Sequence, residues 1–152
     1  MSTRDLESPS AAQCDAANAR RHSAEGTAWL ETFKWDHFVT LTCKLPLTAQ
    51  RLRIAFENEF HRNLTRVAQQ KVPWFLVVEG GSLSDVHVHA HCLISGTAAM
   101  PDGMIQRCWH RGFTRVAQYV HNGGAARYLT SKLFANPDGW IFSHKMPPLR
   151  SG

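Results

Sequence analysis

Residues 85–94 read Asp85-Val86-His87-Val88-His89-Ala90-His91-Cys92-Leu93-Ile94, three histidines at two-residue spacing inside an apolar run. Side chains alternate across a β-strand, so His87, His89 and His91 share one face while Val88, Ala90, Cys92 and Ile94 fill the other. One face is a core and the other a row of imidazoles. Imidazole is the commonest protein metal ligand, and a row of it on a sheet face invites a divalent cation.

The neighbouring sequence builds a sheet around this strand. Trp74 to Glu79 (WFLVVE) is a short β-rich run, and Gly80-Gly81-Ser82 turns it back towards the histidines, which predicts an antiparallel hairpin. Trp35 to Lys44 alternates Val39, Leu41 and Cys43 against Thr40 and Thr42, a strand with an apolar face and a hydroxyl face. From Thr48 the period changes: Leu52, Ile54, Ala55, Phe60, Leu64 and Val67 recur every three to four residues, predicting a long amphipathic helix that ends before Pro73. Further on, Met104 to His110 is read as a short helix, Gly112 to Val120 as a strand, Ala125 to Phe134 as a second helix and Gly139 to Ser143 as an edge strand. The expected architecture is α+β: a ferredoxin-like antiparallel sheet of about five strands with helices packed mainly on one face.

The chain has 152 residues, one domain's worth. Residues 1–27 carry few large apolar side chains and are expected to be a disordered or loosely docked tail, with one domain over 28–152. The formal net charge is +5, and from residue 100 onward seven Lys and Arg stand against Asp102 and Asp138 alone, which points to a polyanionic partner. Cys14, Cys43, Cys92 and Cys108 form no CxxC pair, so a reducing, cytoplasmic setting is expected, with Cys43 and Cys92 as core residues. No apolar run of about eighteen residues occurs, and no membrane role is expected.

Cutting a phosphodiester needs positive charge on the phosphoryl oxygens and a nucleophile in line with the leaving oxygen. The histidines and Glu79, at the end of the paired strand, can hold Mn²⁺ or Mg²⁺ as a mixed nitrogen and oxygen site. Of the two tyrosines, Tyr119 falls in an apolar strand pattern and is read as structural. Tyr128 falls in GGAARYLTSKL, where Lys132 lies one helical turn later on the same face, and a cation beside a phenol favours the phenolate.

Three segments in this order, FVTLT (38–42), HVHAHCLI (87–94) and ARYLTSKL (126–133), resemble the HUH endonucleases, the superfamily of rolling-circle replication initiators, relaxases and single-strand transposases. The resemblance extends over roughly residues 35–145, and Glu79 and the WxRGFxRV segment (109–116) are similar to bacterial plasmid and phage initiators. It implies a metal-dependent nick in single-stranded DNA, commonly at a hairpin-flanked origin, with a 5′-phosphotyrosyl intermediate, a free 3′-OH and strand joining by reversal. By motif match it assigns the metal to His89, His91 and Glu79, with His87 able to replace or assist a ligand, the nucleophile to Tyr128 and an auxiliary role to Lys132. The family helix often spaces its lysine three after the tyrosine; here the interval is four. In relaxases the tyrosine precedes the histidines, so a single-tyrosine initiator or a transposase is the better match.

Thr40 and Thr42 on the open sheet face are candidates for lining the DNA, as are Arg107, Arg111, Arg115 and Arg127 for its phosphates. Trp109 and Phe113, interleaved with those arginines, either stack bases or pack in the core. There is no GxxxxGK[ST] loop, so a separate helicase is expected, with no small-molecule cofactor. Two bland readings compete: a non-catalytic single-stranded nucleic-acid-binding module, and a metal-stabilised structural domain.

Overall fold

The computed structural model describes residues 21, 23–80, 88–135, 140–143 and 145–151. The expected position of His87, and residues 1–20 and 22 of the expected tail, lie outside these described residues. Residues 23–31 are helical (α1), so the boundary expected at residue 27 falls inside a helix. There follow β1 (His37–Thr42), a helical rod made of α2 (Ala49–Ala55), a π-helical segment (Phe56–His61) and α3 (Arg62–Ala68), then β2 (Trp74–Glu79) and β3 (His89–Ile94). The chain closes with α4 (Asp102–Gln106), β4 (Thr114–Gln118), α5 (Gly124–Ala135) and β5 (Trp140–Phe142).

The five strands form one antiparallel sheet in the order β4-β1-β3-β2-β5. β2 and β3 make the expected hairpin, with Glu79 opposite His89 and Val77 opposite His91. β3 sits between β2 and β1, and Thr40 is opposite His91 on that other side. This is the ferredoxin-like α+β arrangement read from the sequence, with β5 as an added edge.

Alternation explains the layers. Val39 and Leu41 of β1, Leu76 and Val78 of β2, and Ala90, Cys92 and Ile94 of β3 face one way, and Leu52, Phe56, Phe60 and Leu64 of the helical rod cover them. Thr48 caps the rod by accepting the Arg51 N–H at 3.2 Å, and Gln69 closes it in the left-handed region at φ 54°. The short helix expected at Met104–His110 is found at Asp102–Gln106: extended Pro101 sets its start, and the chain turns afterwards to bury Cys108 and Trp109.

The opposite sheet face has helical cover as well, over part of its area. Phe75, Val77 and Leu93 join Leu30 of α1, Trp35, Tyr119, and Ala126 and Leu129 of α5 in a second core. Between that core and the rim of the sheet lies a polar strip of half-buried Thr40, Thr42, His89 and Glu79 around buried His91. Among the described residues no helix is long and apolar enough to cross a membrane.

Candidate active site

Register brings the polar groups of three strands together. Glu79 Oε2 lies 3.1 Å from His89 Nε2 and 3.0 Å from His91 Nε2, so a single carboxylate oxygen faces both imidazoles. The three possible ligand atoms all lie within 4.8 Å of one another. Adjacent ligands of an octahedral ion at about 2.1 Å stand about 3 Å apart, so the observed carboxylate to imidazole spacings suit a divalent cation. Two imidazole nitrogens and a carboxylate oxygen form a mixed donor set that could hold a divalent ion.

Glu79 is held in place from its other end. Lys132 Nζ stands 2.9 Å from Glu79 Oε1, leaving Oε2 to the histidines. Partial burial pushes the Glu79 carboxyl up, but hydrogen bonds from Lys132 and His91 outweigh it and hold the group at about 2. The same hydrogen bond pushes the Lys132 ammonium up. His91 is 5% exposed, and its burial pulls its pKa below the usual value against the opposing pull of Glu79. It is therefore neutral at neutral pH, the form that ligates metals.

Two neighbours orient His91. Thr40 Oγ1 is 3.0 Å from His91 Nδ1, and the Phe38 ring stacks on the imidazole at 6.0 Å between centroids. A hydroxyl can donate to or accept from Nδ1, so Thr40 satisfies the ring in either tautomer. With Nε2 given to a metal, Nδ1–H donates to Thr40, the usual outer support of a ligating histidine.

α5 supplies the remaining groups. Ala126 and Leu129 point into the second core, which leaves Tyr128 and Lys132, one turn apart, facing the strip. The phenolic oxygen of Tyr128 lies 3.4 Å from His91 Nε2 and 3.5 Å from Glu79 Oε2, and Lys132 Nζ is 5.3 Å from the Tyr128 ring centroid. The four-residue spacing of Tyr128 and Lys132 thus lets both reach Glu79. Phe38, Thr40, His91, Arg115, Ala117 and Tyr128 line an open groove of about 450 Å³ beside this cluster.

The other sequence candidates separate. Arg115 borders the groove. Thr42 is tied to the start of β4, its hydroxyl donating to Phe113 O at 3.0 Å. Arg127 is exposed on α5, on the side that faces Ser23, Ala24, Thr27 and Ala28. Arg107 is exposed after α4, where its neighbours Ile105 and Cys108 enter the core beneath the other sheet face. Arg111 is engaged by Glu59 through two hydrogen bonds of 2.8 and 2.7 Å. Trp109 is 3% exposed, packs edge-on against Phe60 and donates Nε1–H to Thr42 O at 2.9 Å. Of the two readings given to Trp109, core packing is the one seen. Cys92 is fully buried on the face away from the histidines, and burial pushes its thiol up.

Two contributors escaped the sequence reading. Phe38, the position before the alternating Val39 and Thr40, backs His91 and meets Tyr128 edge-on at 6.3 Å. α1 clasps the tyrosine helix: buried Thr130 Oγ1 lies 2.8 Å from Thr27 Oγ1 and 3.3 Å from Ser23 Oγ. The alternation of β1 already placed Phe38 on the histidine face; nothing local marked α1.

The sequence profile of the family described as replication-associated protein ORF2 matches residues 36–135 of the chain. The match takes in β1, the hairpin with Glu79, His89 and His91, and all of α5. No curated protein and no solved structure shows significant similarity to the chain.

Proposed function

Because the chain belongs to the replication-associated protein ORF2 family of rolling-circle replication initiators, we propose that it is a single-tyrosine endonuclease that nicks and rejoins single-stranded DNA at a replication origin. The observation that carries this reading is the approach of Tyr128 to His91 and Glu79, from which it is separated by 37 and 49 residues of chain. A phenol, two imidazoles, a carboxylate and an ammonium at one open groove are the parts of a phosphoryl-transfer site.

In this mechanism the Tyr128 oxygen attacks phosphorus as its proton passes to water, since both Glu79 oxygens are already engaged, one by Lys132 and one by the histidines. The bond from phosphorus to the 3′ oxygen breaks, and that oxygen takes a proton from water. The 5′ end stays on Tyr128 as a phosphotyrosine, and attack by a 3′-OH reverses the step and joins strands. Glu79, His89 and His91 would hold the divalent ion, whose role is to draw charge off the phosphoryl oxygens. Lys132 orients Glu79 and places a positive charge near the developing phenolate, while Thr40 and Phe38 keep His91 aimed. Arg115, on the groove wall, neutralises a flanking phosphate. A hairpin-flanked origin, a separate helicase and a cytoplasmic site of action complete the proposal.

The test is incubation with 3′-end-labelled single-stranded oligonucleotides, including hairpin-flanked ones, and Mn²⁺ with or without chelator, followed by a denaturing gel. A labelled protein band that needs the metal and vanishes in Tyr128→Phe is expected. DNA binding with no covalent band would overturn the nickase in favour of a binding module, and unfolding by chelator alone would favour a metal-stabilised structural domain.

A further inference from the structure

The WHRGF segment, residues 109–113, contributes no group to the metal and tyrosine cluster, yet it is fastened at nearly every residue. Trp109 is sunk in the core and bonded to Thr42 O. Arg111 is clamped by Glu59, and its carbonyl accepts the Lys44 N–H at 2.8 Å. At residue 112 a Cβ would lie 2.0 Å from the Thr42 carbonyl oxygen, so only glycine allows this approach to the end of β1. The next residue, Phe113, is held through its backbone by Thr42: N–H to Thr42 Oγ1 at 3.2 Å and C=O from Thr42 N at 2.9 Å. Its ring is nevertheless 73% exposed. An apolar ring thus stands in water on a firmly fixed backbone.

Its position is informative. These hydrogen bonds continue the β1 to β4 register, which pairs Leu41 with Thr114 and Thr40 with Arg115, so residue 113 falls on the same face as Arg115 and Ala117. Thr42 in turn is opposite His89, which puts Phe113 two strand spacings, about 10 Å, from the histidine. Lys44 Nζ sits over the ring at 5.8 Å from its centroid, and neither Lys44 nor Arg115 has an ion-pair partner among the described residues. A rigid aromatic face flanked by two uncompensated cations matches what unpaired bases and their phosphates require.

We propose that Phe113 is a base-stacking platform of this chain: an unpaired base next to the reacting phosphate lies on the ring, with Lys44 and Arg115 taking the adjoining backbone phosphates. The inference rests on the DNA-nicking reading and adds where the strand is held. The occupant is single-stranded DNA, because the cations beside the ring match a polyanion. Stacking is tolerant of base identity, so the platform fixes the path of the strand and leaves sequence choice to other contacts.

The experiment measures binding of a fluorescein-labelled random single-stranded 30-mer pool by anisotropy, in the full chain and in Phe113→Ala, Phe113→Leu and Phe113→Trp. Loss of one stacked base weakens binding by about tenfold, so Ala and Leu are expected to lose about that factor while Trp keeps the affinity. Lys44→Ala should flatten the slope of log affinity against log salt by about 0.7. As a second readout, a pool carrying 2-aminopurine should lose fluorescence on binding the unsubstituted chain and much less on binding Phe113→Leu. Unchanged affinity and quenching in Ala and Leu would overturn the platform while leaving the nickase reading standing. A change of oligomeric state in Phe113→Ala at constant DNA affinity would likewise overturn it, in favour of an interface between copies. If the unsubstituted chain binds none of the pool, the platform falls, while the nickase reading is judged separately by the covalent band on hairpin-flanked oligonucleotides.

Discussion

The two tyrosines sit in the same kind of triplet and differ in what surrounds it. Tyr119 donates to Glu31, whose other oxygen lies 3.5 Å from Arg150 Nη1; Tyr128 faces Glu79, whose other oxygen is held by Lys132. Phenol, carboxylate and cation are therefore common to both. Tyr119 is 8% exposed, within the second core, and its ring meets His121 edge-on at 4.6 Å. Tyr128 is 40% exposed and opens on the groove, with two imidazoles beside the carboxylate. Burial turns the first triplet into a strap that ties β4, α1 and the C-terminal segment together. Exposure beside the two imidazoles leaves the second accessible for the nucleophile role proposed for it. Residue types alone do not make a nucleophile; access to a polyanion and a site for a cation decide it.

The largest expected contrast is in covalent chemistry. Tyr128→Phe should abolish the protein–DNA adduct on a denaturing gel while shifting unfolding free energy by less than about 0.5 kcal/mol, since the lost hydroxyl makes only long contacts. Tyr119→Phe should keep the adduct. An adduct that survives Tyr128→Phe and disappears in Tyr119→Phe would invert the assignment of the two triplets.

Next in size is support of the metal site. Removing an outer hydrogen-bond partner of a ligating histidine typically weakens metal affinity about 10–100-fold, so Thr40→Val should weaken Mn²⁺ binding in titration calorimetry by that order. Thr40→Ser, which retains the oxygen, should restore most of it. Equal affinity in Val and Ser variants would show that the Thr40 hydroxyl does not position His91.

The pH dependence of stability separates the triplets at opposite ends. Burial first, then the Glu31 carboxylate, pushes the Tyr119 phenol well above its usual range. A phenol whose folded pKa is raised contributes stability that is complete below the unfolded value, about 10, and is lost as pH climbs above it. Glu79 has the opposite sign. Held at about 2 against an ordinary 4.5, its contribution is present above 4.5 and fades as pH falls between those values. Denaturant titrations across pH should show Tyr119→Phe flattening the alkaline arm and Glu79→Gln the acid arm. At neutral pH Tyr119→Phe should cost about 1.5–3 kcal/mol, the worth of a hydrogen bond to a charged acceptor.

What was readable in the sequence was local. The alternation of HVHAHCLI and WFLVVE needs only neighbours two residues apart, and so gave the hairpin and a shared histidine face with Glu79 at the end of the partner strand; the register that sets Glu79 opposite His89 came from the structure. The three to four period of Leu52, Phe60 and Leu64 gave the helical rod in the same way, although no sequence signal marked its π-helical turn at Phe56–His61. The role of Thr40 depended on strand order, since it meets a histidine 51 residues away once β3 lies between β1 and β2. The fate of Trp109 depended on the close approach at Gly112, a contact between segments 70 residues apart. α1 was the hardest: its Ser, Ala and Thr-rich composition looks unable to order itself, and its partners lie more than a hundred residues downstream.

That distant clasp gives the smallest expected effect and the finest test of the comparison. Thr130 is fully buried, and its hydroxyl bonds to Thr27 and also lies 3.1 Å from the Arg127 carbonyl. Valine has nearly the same shape, so Thr130→Val removes the hydroxyl with little change in packing. Thr27 keeps its own hydrogen bond to Ser23 O at 2.8 Å, so no donor is stranded and the loss should be about 1 kcal/mol. Because α1 touches α5 on the side away from Glu79, Mn²⁺ affinity should stay unchanged while adduct formation slows, as the helix carrying Tyr128 loses its anchor but the strands carrying the ligands do not. A parallel fall in metal affinity would instead mean that α5 and the sheet respond as one body, with the ligands and the nucleophile positioned by the same contacts.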